Sequence, residues 1–274
     1  MRSIYQKPDG PLQISFSGGR TSGYLLHQFL DANDGLPNDT VVTFANTGRE
    51  MQETLDFVDA CSKAWDVPIV WLEFAVIDGK ASYRVTDYDK ASLHGEPFEI
   101  LLKRKKYLPN VVARFCTADL KIRPMKRYLV KELGWKNWTA ALGIRADEQR
   151  RINYDSKDRW SFWYPLVEAN VSKRDVQLFW QQQEFDLNLK GINGKTPQGN
   201  CDFCFLKSEA TLAMMAKEYP HLASWWVRME QDIGSTFRKG RDLAQFVDFV
   251  QRQGEFDFDE TGFYCQSDDG ECAI

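Results

Sequence analysis

Histidine is scarce in this sequence of 274 residues, with three in all. His27, His94 and His221 stand at no spacing that suits a shared metal, so each reads as a structural residue. Cysteine is sparse as well: six in a chain of this size cannot make a disulfide scaffold. Clustered cysteines in a reducing compartment point instead to metal ligation or redox chemistry. There is no long apolar run and no signal peptide, which sets the expectation of a soluble, cytoplasmic protein with no membrane partner. The formal net charge is −4, so no chain-wide basic field advertises a nucleic acid, and only a local basic strip could serve one. No internal repeat stands out.

What is present is enough for a full core: 43% of residues are hydrophobic and 14% aromatic. Strand-like runs at Leu12–Phe16, Thr40–Ala45, Ile69–Phe74 and Thr139–Ile144 alternate with helical patterns at Ser22–Asp31, Met51–Trp65 and Pro124–Leu133. This order implies an α/β fold, a mostly parallel sheet with helices on both faces and ligands at the carboxyl ends of the strands. After Gly143 the pattern is irregular through Trp160, Trp163 and Tyr164. A helix is expected over Ser172–Gln183, with Ser172 as its N-cap. A loop, Leu187–Gly199, delivers Cys201. Helical patterns follow at Ser208–Tyr219, Leu222–Gln231 and Leu243–Gln253, and the tail, Gly254–Ile274, is acidic and turn-rich.

The stretch Leu12–Ser22 reads as a strand, a glycine-rich turn and the start of a helix. Gly18 and Gly19 carry no Cβ to keep an anion from the backbone. A helix N-terminus there would favour a bound negative charge by roughly 0.3–2 kcal/mol. Ser17, Thr21 and Ser22 add hydroxyls and Arg20 adds a cation; an ordinary strand-to-helix turn has the same composition. No Gly-Lys-Ser/Thr follows, so this is not a Walker A loop. Asn46-Thr47-Gly48 falls at the end of the second strand. Arg145, Arg150 and Arg151 supply planar cationic forks for phosphate or sulfate oxygens, or pair locally with Asp147, Glu148 or Asp155. Cys201 and Cys204 form a CxxC pair suited to Fe–S or zinc. Cys61 falls on an apolar helix face with Phe57 and Ala64 and reads as core.

Four blocks in order resemble the phosphoadenosine phosphosulfate (PAPS) reductase family of the PP-loop, or ATP-pyrophosphatase-like, superfamily: SFSGGRTS, FANTGREMQETLDFVDA, GIRADEQRR and YPLVEANVSKRDVQLFW. Asn46 stands where that family usually has Asp. The resemblance implies a nucleotide-binding domain over 1–207, a helical segment over 208–253 and a cysteine-containing tail over 254–274. It implies an adenine nucleotide held by Ser17, Gly18, Gly19, Arg20, Thr21, Ser22, Asn46, Thr47, Gly48, Gly143, Arg145 and Arg150. Cys116 in FCTADLKIRPMKRYL, with CDFC, is similar to the iron–sulfur branch and implies a [4Fe-4S] cluster. Thr117 replaces the second cysteine of that branch's pair, leaving the fourth ligand to Cys265 or Cys272, or one iron open. Zn2+ is the alternative occupant.

Two activities follow from the resemblance. One is ATP-dependent sulfur transfer, in which Mg2+ accompanies the triphosphate, an acceptor is adenylated and pyrophosphate leaves. The acceptor is a nucleic acid, tRNA or DNA, or a small molecule, and Lys103–Lys106, Tyr107, Lys121, Arg123, Lys126 and Arg127 form the basic strip that would contact it. SGGRTS favours this activity, with the Ser-Gly-Gly start and final Ser of the ATP-using SGGxDS loop. The other is reduction of APS or PAPS to sulfite, with Cys272 as nucleophile and a thiol reductant to resolve the intermediate. A nucleotide- or cluster-sensing regulator is a third reading. A sulfur donor is an expected partner of the first activity, and the fold is compatible with a homodimer.

Overall fold

The computed structural model describes residues 3–156, 158–191 and 196–252. In chain order these form β1 (Leu12–Ser15), α1 (Arg20–Ala32), β2 (Thr40–Asn46), α2 (Gln52–Ala64), β3 (Ile69–Ile77), β4 (Lys80–Thr86), α3 (Glu96–Lys105) and α4 (Arg123–Lys131). Then come β5 (Trp138–Leu142), β6 (Trp160–Trp163), α5 (Pro165–Glu168), α6 (Lys173–Trp180), α7 (Glu209–Glu218), α8 (Pro220–Ile233) and α9 (Leu243–Arg252). The strands make one sheet in the order β4-β3-β2-β1-β5-β6, parallel throughout except for β4. This is the doubly covered α/β architecture the sequence implies.

Alternation along β1 explains how the sheet is covered. Leu12, Ile14 and Phe16 are buried and join one core with Leu25, Leu26 and Phe29 of α1 and Leu55, Val58 and Cys61 of α2. Each such apolar side chain contributes about 1.5–3 kcal/mol by leaving water. Cys61 is core as expected, and burial pushes its thiol up. Gln13, on the other face, donates to Thr43 Oγ1 at 2.9 Å and accepts from Trp138 Nε1 at 3.2 Å. Its own polarity is thereby satisfied beneath Met125 of α4.

Two strands were not anticipated. β4 is half polar and pairs antiparallel with β3 around Asp78-Gly79, both at positive φ. Asp-Gly between two alternating runs is the signature of a two-residue hairpin, so this strand was legible. β6, Trp160-Ser161-Phe162-Trp163, is four residues long and lies at the sheet edge beside β5. Its edge role depends on β5 and not on local pattern.

The C-terminal helices do not pack apart from the sheet domain. Phe98 of α3 lies 5.3 Å from Trp225 and 5.7 Å from Trp226 of α8, ring centre to ring centre, in one continuous core. No helix among the described residues is long and apolar enough to cross a membrane. The basic run ends α3, and most of the strip is locally paired: Lys103 with Glu99, Lys105 and Arg123 with Asp119, and Lys126 with Asp158.

Candidate active site

β1 runs into a loop whose shape follows from one glycine and one serine. Gly18 has φ of +79°, and a Cβ there would lie 2.6 Å from Thr54 Cγ2. Gly18→Ala is therefore expected to cost about 1–3 kcal/mol, read as a lower denaturant midpoint at unchanged slope. The Ser22 hydroxyl closes the loop. It donates to Gly19 O at 2.9 Å, accepts from Ser17 N at 3.2 Å and from Gly19 N at 3.3 Å, and lies 3.0 Å from Ser17 Oγ. Ser17 and Ser22 thus shape the turn, while Gly19, Arg20 and Thr21 line a cavity of about 290 Å³.

Gly143 brings the end of β5 against this loop, because a Cβ there would lie 3.0 Å from Ser22 Cα. Arg145 follows, buried, and enters the same cavity. Its Nη1 donates to Thr21 Oγ1 at 3.0 Å and its Nε to Asp147 Oδ1 at 3.0 Å. Glu148 pairs chiefly with Arg151. Both the local pairing and the anion-facing placement considered for Arg145 therefore coexist in one side chain. Arg150 is exposed and does not line the cavity.

Arg20 lines the cavity with its charge already met. It pairs in fork geometry with Asp186 at 2.7 and 2.6 Å and reaches Thr196 Oγ1 at 3.3 Å, tying the chain beyond α6 to the start of α1. Lys173, not anticipated as a site residue, adds a cation to the wall. Its signal was its place as the first residue of α6 after Ser172, whose N–H and hydroxyl both donate to Asp175. Trp180 Nε1 donates to Arg20 O at 2.7 Å and holds α6 on α1.

Asn46, Thr47 and Gly48 lie at the end of β2, as expected, but turn inward and are not part of the cavity wall. The Thr47 hydroxyl donates to Glu50, at 2.8 Å from the nearer oxygen, and stands 3.4 Å from Cys201 Sγ. Gly48 O accepts from Gly95 N at 2.8 Å. Arg49, also not anticipated, forms a buried ion pair with Asp202, the residue between the CDFC cysteines. Trp226 Nε1 donates to the same carboxylate at 2.6 Å, and the Arg49 guanidinium lies over Trp225. The loop after β2, the cysteine loop and α8 are thus one interlocked unit.

Burial and the Glu50 carboxylate push the Cys201 thiol up, against the opposing pull of Lys121. Lys121 belongs to a π-helical turn, Thr117–Ile122, that begins directly after Cys116; such turns recur at functional sites. Among the described residues no three His, Cys, Asp or Glu side chains are grouped to hold a metal ion. Cys265 and Cys272 lie outside the described residues. The described part therefore offers a cysteine pair and not a complete centre.

Residues 11–188 match the phosphoadenosine phosphosulfate reductase domain. The chain belongs to the phosphoadenosine phosphosulfate reductase family, a family of nucleotide-using enzymes. It is 32% identical over 213 residues to the "Uncharacterized nin region protein ORF290" of Escherichia phage lambda, covering 75% of this chain and 69% of that protein. It is also 28% identical over 123 residues to an uncharacterized protein of Methanocaldococcus jannaschii, covering 44% of this chain and 23% of that one.

Proposed function

We propose that this chain uses ATP to activate an acceptor for sulfur transfer, releasing pyrophosphate. The observation that carries the reading is the cavity in which Arg145, braced by Thr21 and Asp147, faces the first turn of α1 with Lys173 opposite. Helix N–H groups without intrahelical acceptors and fixed cationic forks are what phosphate oxygens require. Because Arg145 is held before substrate arrives, it need not reorganise as charge moves onto the leaving group. The acceptor oxygen attacks the α-phosphorus, the bond to the bridging oxygen breaks, and pyrophosphate departs with its Mg2+. A sulfur nucleophile then displaces AMP from the activated acceptor, a nucleic acid or a small molecule.

The test is incubation of purified protein under anaerobic conditions with Mg2+-ATP, APS or PAPS, with and without tRNA or DNA. Pyrophosphate release from ATP is expected, unchanged in Cys272→Ser. Sulfite release that depends on Cys272 would replace this reading with the reductase one. Nucleotide binding without either product would favour a regulator.

A [4Fe-4S] cluster on Cys116, Cys201, Cys204 and Cys265 is a separate proposal resting on residue type, and no step above runs through it. Iron and acid-labile sulfide at about four each per chain are its expected signature. Zinc in their place, or no metal, refutes it.

A further inference from the structure

Position 46 carries an amide where the family pattern has a carboxylate, and the neighbouring strand supplies the reason. Glu73 of β3 lies beside Asn46 in register and is wholly buried. Its Oε1 accepts from Asn46 Nδ2 at 2.6 Å and Ser92 N at 2.7 Å. Its Oε2 accepts from Arg84 Nε at 2.7 Å and Ser92 Oγ at 3.0 Å. Asn46 Nδ2 also donates to Ser92 O at 2.8 Å, while its Oδ1 accepts from Gly48 N at 3.0 Å. Both amide hydrogens meet acceptors and the amide oxygen meets a donor, so only one orientation of the side chain satisfies the site.

We propose that Glu73 is a positioning residue for the loop after β2, acting through Asn46, and that the amide at 46 and the carboxylate at 73 are a matched pair. The consequence for nucleotide affinity rests on the function proposed above. An Asp at 46 would bring its second oxygen to 2.6 Å from Glu73 Oε1 and 2.8 Å from Ser92 O. No proton would lie between these acceptors. One carboxyl must then hold a proton, or the loop must turn away and release Gly48 N and Thr47.

The charges around the pair do not relieve this. Arg84 on β4 already serves Glu73. Asp119 and Lys121 lie on the π-helical turn, with Asp119 paired to Lys105 and Arg123. Glu50, beyond the loop, takes the Thr47 hydroxyl. Glu99 on α3 pairs with Lys103 and Arg228, and Lys126 on α4 with Asp158. Arg127 completes the charges of α4 on this side of the sheet.

The experiment compares wild type, N46D, E73Q and N46D/E73Q by thermal midpoint between about pH 5 and pH 8, and by ATP affinity near pH 7.5. N46D is expected to melt about 5 °C or more below wild type at the upper pH. The deficit should shrink as pH falls: a carboxyl whose folded pKa is raised stabilises below its unfolded pKa, and that stability is lost as pH rises through the folded value. N46D/E73Q, again one amide and one carboxylate, should recover at least half of the deficit and lose its pH dependence. ATP affinity should fall about tenfold in N46D and return in the exchanged pair. Should N46D not fold, recovery of folded protein in the exchanged pair reads the same contrast. A deficit independent of pH, or an exchanged pair no better than N46D, overturns the proposal. Absence of ATP binding in wild type would instead refute the nucleotide reading, and the melting data would still judge the pair.

Discussion

Arg145→Ala is expected to lower ATP-dependent pyrophosphate release by about 10²–10³-fold, the usual effect of removing one preorganised donor to developing charge. The side chain is 4% exposed and is held by Thr21 Oγ1 and Asp147 at 3.0 Å each. Its guanidinium therefore meets the phosphates in a fixed plane, without the rotamer search a surface arginine would need. Its removal spares the principal local ion pair, since Glu148 remains with Arg151. The variant should fold, with an unchanged circular dichroism spectrum. Arg145→Lys should recover only a small part of the activity, because an ammonium cannot present two parallel donors. Activity of the alanine variant within about threefold of wild type would remove Arg145 from the phosphate site.

Arg49→Ala is expected to cost about 3–5 kcal/mol of stability, the largest effect of any single change considered. Arg49 is 5% exposed and Asp202 2%. Without the guanidinium, the Asp202 carboxylate keeps only Trp226 Nε1 at 2.6 Å and Phe203 N at 2.7 Å, an uncompensated charge in a dry site. Arg49 also donates to Leu222 O at 3.1 Å, so α8 loses an anchor at the same time. Asp202→Ala removes the charge together with its partner's anchor and should be costly too. The double variant should lose less than the sum of the two single losses, since the second change no longer strands a charge. Urea denaturation of the four proteins measures this. Additive losses would show that the pair does not act as a unit.

Much of the architecture was legible because local pattern and global fold agree. Leu12, Ile14 and Phe16 alternate, Tyr24–Leu30 recur at helical spacing, and both predicted periods appear as β1 and α1. Helix ends shifted by a few residues, as at Ser172–Gln183, where α6 ends at Trp180. β4 was missed although Asp78-Gly79 announced it. Within the site, Gly18, Gly19, Thr21, Gly143 and Arg145 could be singled out as residue types, and the fold gathers them around one loop. Lys173 and Arg49 escaped notice because each resembles a surface cation in sequence. What distinguishes them is the partner that long-range packing supplies.

By itself the sequence determined the strand–loop–helix at Leu12–Ser22, the family, and the shortage of histidine that leaves cysteine as the soft ligand. Those properties reside in spacing and residue type over short stretches. Only the tertiary structure decided that Ser17 and Ser22 shape the loop, that Arg20 meets Asp186, and that Asn46 answers Glu73. It also decided that Arg49 joins the nucleotide domain to α8 through Asp202. The physical reason is the same in each case: a charge or hydrogen-bonding group has no fixed role until burial removes water and leaves one partner within reach.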